Sequence, residues 1–352
     1  MPKIEFILYG VISLAALIFL ALVILTLKDY RPDKVNVISK ETNHEALSDS
    51  SFSLISWNIG YSGLGQEMSF FYDGGADVRT SKKNTKKNLQ QVVEYLKKHQ
   101  AADFILLQEV DTASKRSYYI NQFKHIHSKL KPHKGYFSIN YKVPHVPLPM
   151  FKPLGRVASG LAAFTKSVPA KVVRHQFPGQ YGWPKNLFML DRCFMVCRYA
   201  TKNDKELLVV NTHNSAYDNG TLKQQEMDAL KDFVTREYKK GNYIIAGGDW
   251  NQFPPGLESN PKAKKLYNLA KTSSIEKDFL PDDWTWAYDL NVPTNRSLDA
   301  PLNPQTDKTV IDFFLLSPNV RLKKIRTDNL NFENSDHQPV LLEVELQQMS
   351  PV

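Results

Sequence analysis

Cysteine is nearly absent from this chain of 352 residues. Its two copies, Cys193 and Cys197, sit in the strand-like run Cys-Phe-Met-Val-Cys-Arg-Tyr. Four strand steps separate them by roughly 13 Å, too far for a disulfide. That excludes both a disulfide framework and a thiolate zinc site, and it is compatible with either side of a membrane. There is also no internal repeat, and neither Gly nor Pro marks a break in composition. A mean hydropathy of −0.38 excludes a multi-span membrane protein. What remains is ordinary globular material, 42% hydrophobic and 23% charged, enough for one large domain. Forty-five Lys and Arg against 36 Asp and Glu leave a net charge of +9. Such a balance suits phosphate-bearing partners, nucleic acid or anionic lipid, without choosing between them.

One long apolar run is present, and it comes first. Phe6 to Leu27 carries no charged residue. At about 1.5 Å per helical residue it reaches roughly 33 Å, enough to cross a hydrocarbon core of about 30 Å. A cleaved signal peptide has a shorter apolar core and small residues at its cut site. Here the run ends in Leu-Thr-Leu-Lys-Asp-Tyr-Arg-Pro. The reading is therefore a tail over 1–5, a transmembrane anchor over 6–27 and a polar tether over 28–51. A single domain spans 52–347, and 348–352 form a C-terminal tail. Lys28, Arg31 and Lys34, offset by Asp29 and Asp33, outweigh Lys3 and lean the domain toward the cytoplasm.

Beyond the tether, short apolar runs predict strands at Phe52–Trp57, Asp103–Gln108, Gly160–Thr165, Cys193–Tyr199 and Glu206–Asn211. Tyr243–Gly247, Val310–Leu316 and the alternating Val340–Leu346 continue the pattern. Leu89, Val92, Val93 and Leu96 make one face of a helix beginning near Ser81. Met227, Leu230 and Val234 mark a second after Thr221. Two segments, 61–80 and 141–153, have no clear period. Pro144, Pro147, Pro149 and Pro153 exclude a central strand from the second. Alternating strands and helices in one unit give an α/β (α+β) domain.

Polar residues gather where the apolar runs stop: Ser-Trp-Asn58, Leu-Gln-Glu109, Asn-Thr-His213, Gly-Asp249-Trp-Asn251, Ile-Asp312-Phe and Ser-Asp336-His337. Each alone reads as a turn former, a cap or a solvated loop residue. Asp312 is different, because it lies inside a strongly apolar strand. A carboxylate there must find a partner or face solvent, since an unpaired buried charge costs several kcal/mol. Oxygen donors without cysteine suit a hard cation, Mg²⁺ or Mn²⁺. An Asp-x-Asn can hold an attacking water, and a carboxylate-oriented histidine can move a proton. Together they describe phosphoester hydrolysis.

In order and in residue type, these six motifs resemble the set of the endonuclease/exonuclease/phosphatase superfamily, over roughly residues 52–347. The resemblance implies a four-layer α/β/β/α sandwich of two mixed β-sheets, with the site at one rim, preceded here by one transmembrane helix. It implies Glu109 as the principal metal ligand, with Asn58 and Asp336 as further metal contacts. Asp249 would orient or deprotonate water, Asn251 would hold phosphate or Asp249, and His213 would donate to a phosphate oxygen. Asp312 would pair with His337. Arg156, Arg296 and Lys142 are added as candidate phosphate contacts. Trp284 and Trp286 read as core, and Asp218 as a loop residue ahead of the second helix.

The expected activity is that of a membrane-anchored, Mg²⁺-dependent phosphoester hydrolase acting on a phospholipid headgroup, nucleic acid or another phosphodiester, with no obligate protein partner evident. A tethered nuclease is the alternative, for which Lys82, Lys83, Lys86 and Lys87 would supply a basic groove. An inactive phosphate- or lipid-binding protein is another. Members of the superfamily with one leading helix often work outside the cytoplasm. The adopted expectation, against the charge count, is therefore an extracytoplasmic domain.

Overall fold

The computed structural model describes residues 2–42, 44–216 and 221–347; Asp218 and the tail 348–352 lie outside them. In chain order come α1 (Pro2–Leu27), β1 (Val35–Lys40), β2 (Ser51–Asn58), α2 (Lys82–Lys98) and β3 (Phe104–Asp111). Then follow α3 (Gln122–His127), β4 (Lys134–Val146), β5 (Gly155–Thr165), β6 (Lys171–Gln176) and β7 (Cys193–Ala200). The second half holds β8 (Glu206–His213), α4 (Thr221–Tyr238), β9 (Tyr243–Asp249) and α5 (Pro261–Leu266). Three short strands, β10 (Thr285–Ala287), β11 (Asn295–Arg296) and β12 (Lys308–Thr309), precede β13 (Asp312–Leu316), β14 (Val320–Thr327) and β15 (Val340–Leu346).

Alternation along the strands builds the layers. In β2, Phe52 and Leu54 face a cluster with Phe104, Leu106 and Val209, while Ile55 and Trp57 face another with Leu89, Val92 and Leu96. The first cluster lies between two mixed sheets, ordered β1-β6-β7-β8-β9-β13-β10 and β14-β15-β2-β3-β5-β4. The second packs α2 and α3 on the six-stranded sheet. A third sets Met227, Leu230, Phe233 and Val234 of α4 against Val210, Ile244 and Phe313 of the seven-stranded sheet. This is the expected four-layer α/β/β/α sandwich. Truncating a buried anchor such as Phe104 to Ala should cost about 3–5 kcal/mol. Trp284 and Trp286 belong to the α4 cluster, so both are core residues as read. Cys193 and Cys197 are buried free thiols.

Ser81 caps α2, its side chain accepting from the Asn84 amide, where the helix start was expected. Two segments differ from the sequence reading. The 28–51 stretch is not a tether throughout. Val35–Lys40 is an edge strand pairing antiparallel with β6, and Leu47 is buried beside a bridge to Thr201. Its few apolar residues, Val35, Val37, Ile38 and Leu47, were too sparse to register as a run. In the 141–153 segment, β4 continues to Val146 as an outermost strand whose pairing slips between Val143 and Val146. Pro144 falls in that slip, where no ladder donor is missed. Lys82, Lys83, Lys86 and Lys87 lie on the exposed face of α2.

α1 carries Glu5 in its first turn and is free of charge from Phe6 to Leu27; its richest stretch has a mean hydropathy of 2.8, with none of that stretch buried inside the fold. By length and composition it can cross a membrane; a signal sequence passes the same test.

Candidate active site

Strand registry collects the polar residues at one rim. β8 and β9 run parallel with His213 opposite Asp249, and β9 and β13 run antiparallel with Asp249 opposite Asp312. Three site residues thus sit side by side across three strands. Asn58 ends β2 opposite Gln108 on the facing sheet, and His337 precedes β15, which pairs with β2. Close packing of these strands needs the Gly-Gly of β9. A Cβ on Gly248 would lie 1.9 Å from the Thr212 carbonyl, and one on Gly247 would meet the Phe314 ring at 2.3 Å.

Glu109 reaches the rim through a bulge. The β3–β5 pairing slips between Leu107 and Val110, and Glu109 takes φ 56°, a left-handed conformation uncommon for this residue type. The slip turns its side chain out of strand alternation and into the site. Asn251 is similarly left-handed, at φ 51°, and its amide N–H donates to Asp249 Oδ1 at 2.9 Å.

Asn58 ties the two sheets together. Its Nδ2 donates to Glu109 Oε1 at 3.1 Å and to Asp249 Oδ2 at 3.0 Å, while its Oδ1 accepts from the Gly60 N–H at 3.0 Å. Asn58 thus orients two carboxylates through its Nδ2, while its Oδ1 keeps a second lone pair. Gly60 has φ 48°, and a Cβ there would meet Asp336 Oδ1 at 2.7 Å, so only glycine fits beside that carboxylate.

Asp312 is fully buried and finds the partner its position demanded. His337 Nδ1 lies 2.8 Å from Asp312 Oδ2. Trp57 donates its indole N–H to the His337 carbonyl at 3.0 Å, fixing the backbone beneath the ring. Burial alone would push the imidazole's pKa down. The carboxylates of Asp312, Asp249 and Asp336 outweigh it and raise it well above the usual histidine value. His213 Nε2 is 3.5 Å from Asp249 Oδ2. Burial, helped by Arg192, His337 and Arg116, pushes its pKa well below normal, so this imidazole is neutral. Its Nδ1 is buried without a partner among the described residues.

The acids carry the signature of a cation site. Burial raises Asp336 to about 7, with His337 opposing it and Glu109 adding to it. Burial likewise raises Asp249 to about 6, against His337 and hydrogen bonds from Asn58 and Asn251. Crowded, desolvated carboxylates that resist ionising are what a divalent cation relieves. The donors are oxygens, which fits Mg²⁺ or Mn²⁺. Asp249, Asp312 and His337 also bring ligand atoms within 4.8 Å of one another. Asp312 and His337 are spent on each other, which leaves Glu109 and Asp336 as acids that could hold an ion.

The three candidate cations fare differently. Arg156 is exposed on β5, and Lys142 is exposed with its Nζ 5.0 Å from the Tyr30 ring; neither lines the cavity beside the acids. Both lie on outward positions of alternating strands, which the irregular 141–153 reading concealed. Arg296 does reach the cavity, but it is buried and donates to the carbonyls of Gly65, Met68 and Ser297, pinning the 61–70 loop. Its sequence neighbour was missed. Asn295 Nδ2 lies 3.0 Å from His337 Nε2, and its Oδ1 accepts from Thr309. A single Asn in a loop carries no sequence signal for this. Tyr61, stacked under Arg116 at 3.7 Å with its hydroxyl unpartnered among the described residues, is a further unforeseen residue of the cavity wall.

The cavity holds about 700 Å³ and is lined by Glu109, His213, Asp249, Asn251, Asp336 and His337. The sequence matches the profile of the Endonuclease/Exonuclease/phosphatase family over residues 55–337. No curated protein matches it. Among solved structures, it resembles an endonuclease/exonuclease/phosphatase from Beutenbergia cavernae DSM 12333 at 15% identity and TM-score 0.56, covering 85% of this chain and 72% of that one. It also resembles ANGEL2, a 2',3'-cyclic phosphatase solved with adenosine-2',3'-vanadate, at 15% identity and TM-score 0.54, covering 88% of this chain and 100% of that one. TDP2 from Caenorhabditis elegans matches at 15% identity and TM-score 0.50, covering 84% of this chain and 74% of that one.

Proposed function

This chain belongs to the endonuclease/exonuclease/phosphatase family, and from that premise we propose that it is a phosphoester hydrolase dependent on Mg²⁺, with Mn²⁺ as a substitute, working at a membrane surface. The family's name joins nucleases and phosphatases, which have in common the hydrolysis of a phosphate ester. The observation that carries the reading is the convergence of Asn58, Glu109, His213, Asp249, Asp312 and His337, from six separate segments, into one cluster of polar contacts, of which Glu109, His213, Asp249 and His337 line the cavity.

Glu109 and Asp336 would hold the cation, kept apart from Asp249 by the Asn58 amide. When bound, the ion supplies charge neutralisation at the phosphate oxygens. Asp249 spends Oδ1 on the Asn251 amide and shares Oδ2 with Asn58. It is suited to orient a water against phosphorus. His337, held through Nδ1 by Asp312, exchanges a proton at Nε2, where the Asn295 amide steadies the ring. Neutral His213 donates from its own Nε2 to an oxygen gaining charge in the transition state. The water oxygen bonds to phosphorus, one P–O ester bond breaks, and the departing alkoxide takes up a proton.

Glu109, Asp249 and His337 are all present, which favours turnover over a scaffold that only binds phosphate or lipid. The leading helix supports a single-pass membrane location, and we take the domain to be extracytoplasmic. A reporter fused after Val352 tests that side: activity of a cytosol-only reporter would reverse it. The activity test uses the full chain with bis(p-nitrophenyl) phosphate, plasmid DNA and sphingomyelin. Turnover should require Mg²⁺ or Mn²⁺ and stop with EDTA. No turnover on any of them with either ion would leave the binding-protein reading standing.

A further inference from the structure

The cavity does not end at the acids. It extends along an apolar wall formed by Phe70, Val146, Leu148, Leu154, Met189 and Leu190. Its cations are already engaged. Arg116 pairs with Asp111, Lys271 with Asp307, and Arg192 with the His213 carbonyl. Arg296 serves backbone carbonyls, and Lys185 lies 3.7 Å from the Tyr181 ring. A polyanionic strand would find little here to follow, whereas a hydrocarbon chain would find a surface to cover.

The mouth of that wall is apolar and exposed. Leu148 is 52% exposed, Met150 76% and Phe151 97%. Hydrogen bonds donated by the Leu154 N–H to the Leu148 carbonyl and by the Lys152 N–H to the Pro149 carbonyl close the turn and hold Met150 and Phe151 at its tip. Singly exposed apolar residues are common, but a tip of this kind at a cavity mouth marks an interaction surface. The neighbouring mouth segment carries Trp183, 57% exposed, whose indole N–H donates to Thr26 Oγ1 at 3.2 Å. Thr26 lies in the last turn of α1. If α1 spans a bilayer, Trp183 is level with its boundary, where tryptophan concentrates. Exposed Lys28 follows the helix, where Arg31 is paired with Asp29, and exposed Lys152 follows the turn. This basic, aromatic border suits anionic headgroups.

We propose that the Leu148–Phe151 turn and Trp183 enter the leaflet at the C-terminal end of α1, and that the apolar wall receives the acyl part of a membrane phospholipid whose phosphodiester reaches the acids. The inference rests on the hydrolase reading above and names its substrate class. Water oxygen adds to the lipid phosphorus, one P–O bond breaks, and the products are a phosphate monoester and an alcohol, one of them lipidic.

The test uses the full chain reconstituted in vesicles of phosphatidylcholine, phosphatidylglycerol and sphingomyelin in equal parts, with Mg²⁺. Lipid hydrolysis is followed in both the organic and aqueous phases, beside bis(p-nitrophenyl) phosphate in solution. Wild type should cleave both, and the double variant Met150→Ser, Phe151→Ser should lose at least ~10-fold on vesicle lipid while keeping the soluble rate within about twofold. Cleavage of the soluble diester with no lipid product, or equal lipid rates in both proteins, would overturn the proposal and leave the hydrolase reading intact. Failure on every substrate would overturn both. A readout independent of turnover is quenching of tryptophan fluorescence by bromolipids. It should fall in Trp183→Phe, and unchanged quenching would remove Trp183 from the leaflet.

Discussion

Asp312 is the residue at which sequence and structure agree most closely on physical grounds. An acid flanked by Val310, Ile311 and Phe313 needed a partner, and His337 supplies it at 2.8 Å. Changing Asp312 to Asn keeps the shape but removes the charge that fixes the imidazole. Turnover should drop at least ~10²-fold, as should that of His337→Ala, with a wild-type far-UV spectrum in both; His337→Ala also strands buried Asp312 without its partner, so its melting temperature should fall. Activity within a few-fold of wild type in either variant would remove the pair from the mechanism. The remaining residues divide by what a one-dimensional pattern can carry. Acids and histidines at strand ends, unremarkable singly, were legible as a set because their types and order resemble the family's motifs. Asn295 was not, because nothing but folding distinguishes it from the more conspicuous Arg296 beside it. The donor role of Asn58 depended on which amide atom Gly60 would take, and that choice is made by a left-handed turn.

Elements are set by apolar period, so those with weak periods were misread. β1 has a single residue, Ile38, packed against the inter-sheet core, and its pairing with β6 is otherwise backbone. Its neighbour β6 carries a testable feature. His175 stacks on Phe194 at 4.8 Å and packs on Phe233 at 4.9 Å, across β7 and α4. Burial, reinforced by Arg198, Arg236 and Lys171 and opposed by Glu237, lowers it to about 4 from 6.5. Between those values the unfolded chain takes a proton that the folded one refuses. The stability present above 6.5 is therefore lost as pH falls toward 4. His175→Phe keeps the ring packing and deletes the titration. Its advantage over wild type in urea midpoint should widen as the buffer goes from about pH 7 to about pH 4.5. Parallel midpoints would mean that the ring titrates normally in the fold.

The α+β character was readable from the alternation of apolar runs and amphipathic helices, whereas the four-layer plan came from the family resemblance of the six motifs. Less legible was where the soluble unit begins, since backbone pairing leaves no hydrophobic trace. Two truncations separate the possibilities. Removing residues 1–34 takes away α1 but leaves β1 on the sheet. This chain should leave the membrane fraction, melt within about 2 °C of the intact protein and keep its rate on a soluble diester. Removing residues 1–50 strips β1 and buried Leu47, baring β6 as an unpaired edge. A loss of about 1–3 kcal/mol would lower the melting temperature by about 3–8 °C, and the naked edge would promote aggregation. If both chains melt alike, the 35–50 stretch contributes nothing to the fold and is a tether after all. If the shorter deletion already abolishes hydrolysis of the soluble diester, α1 supports the active site itself.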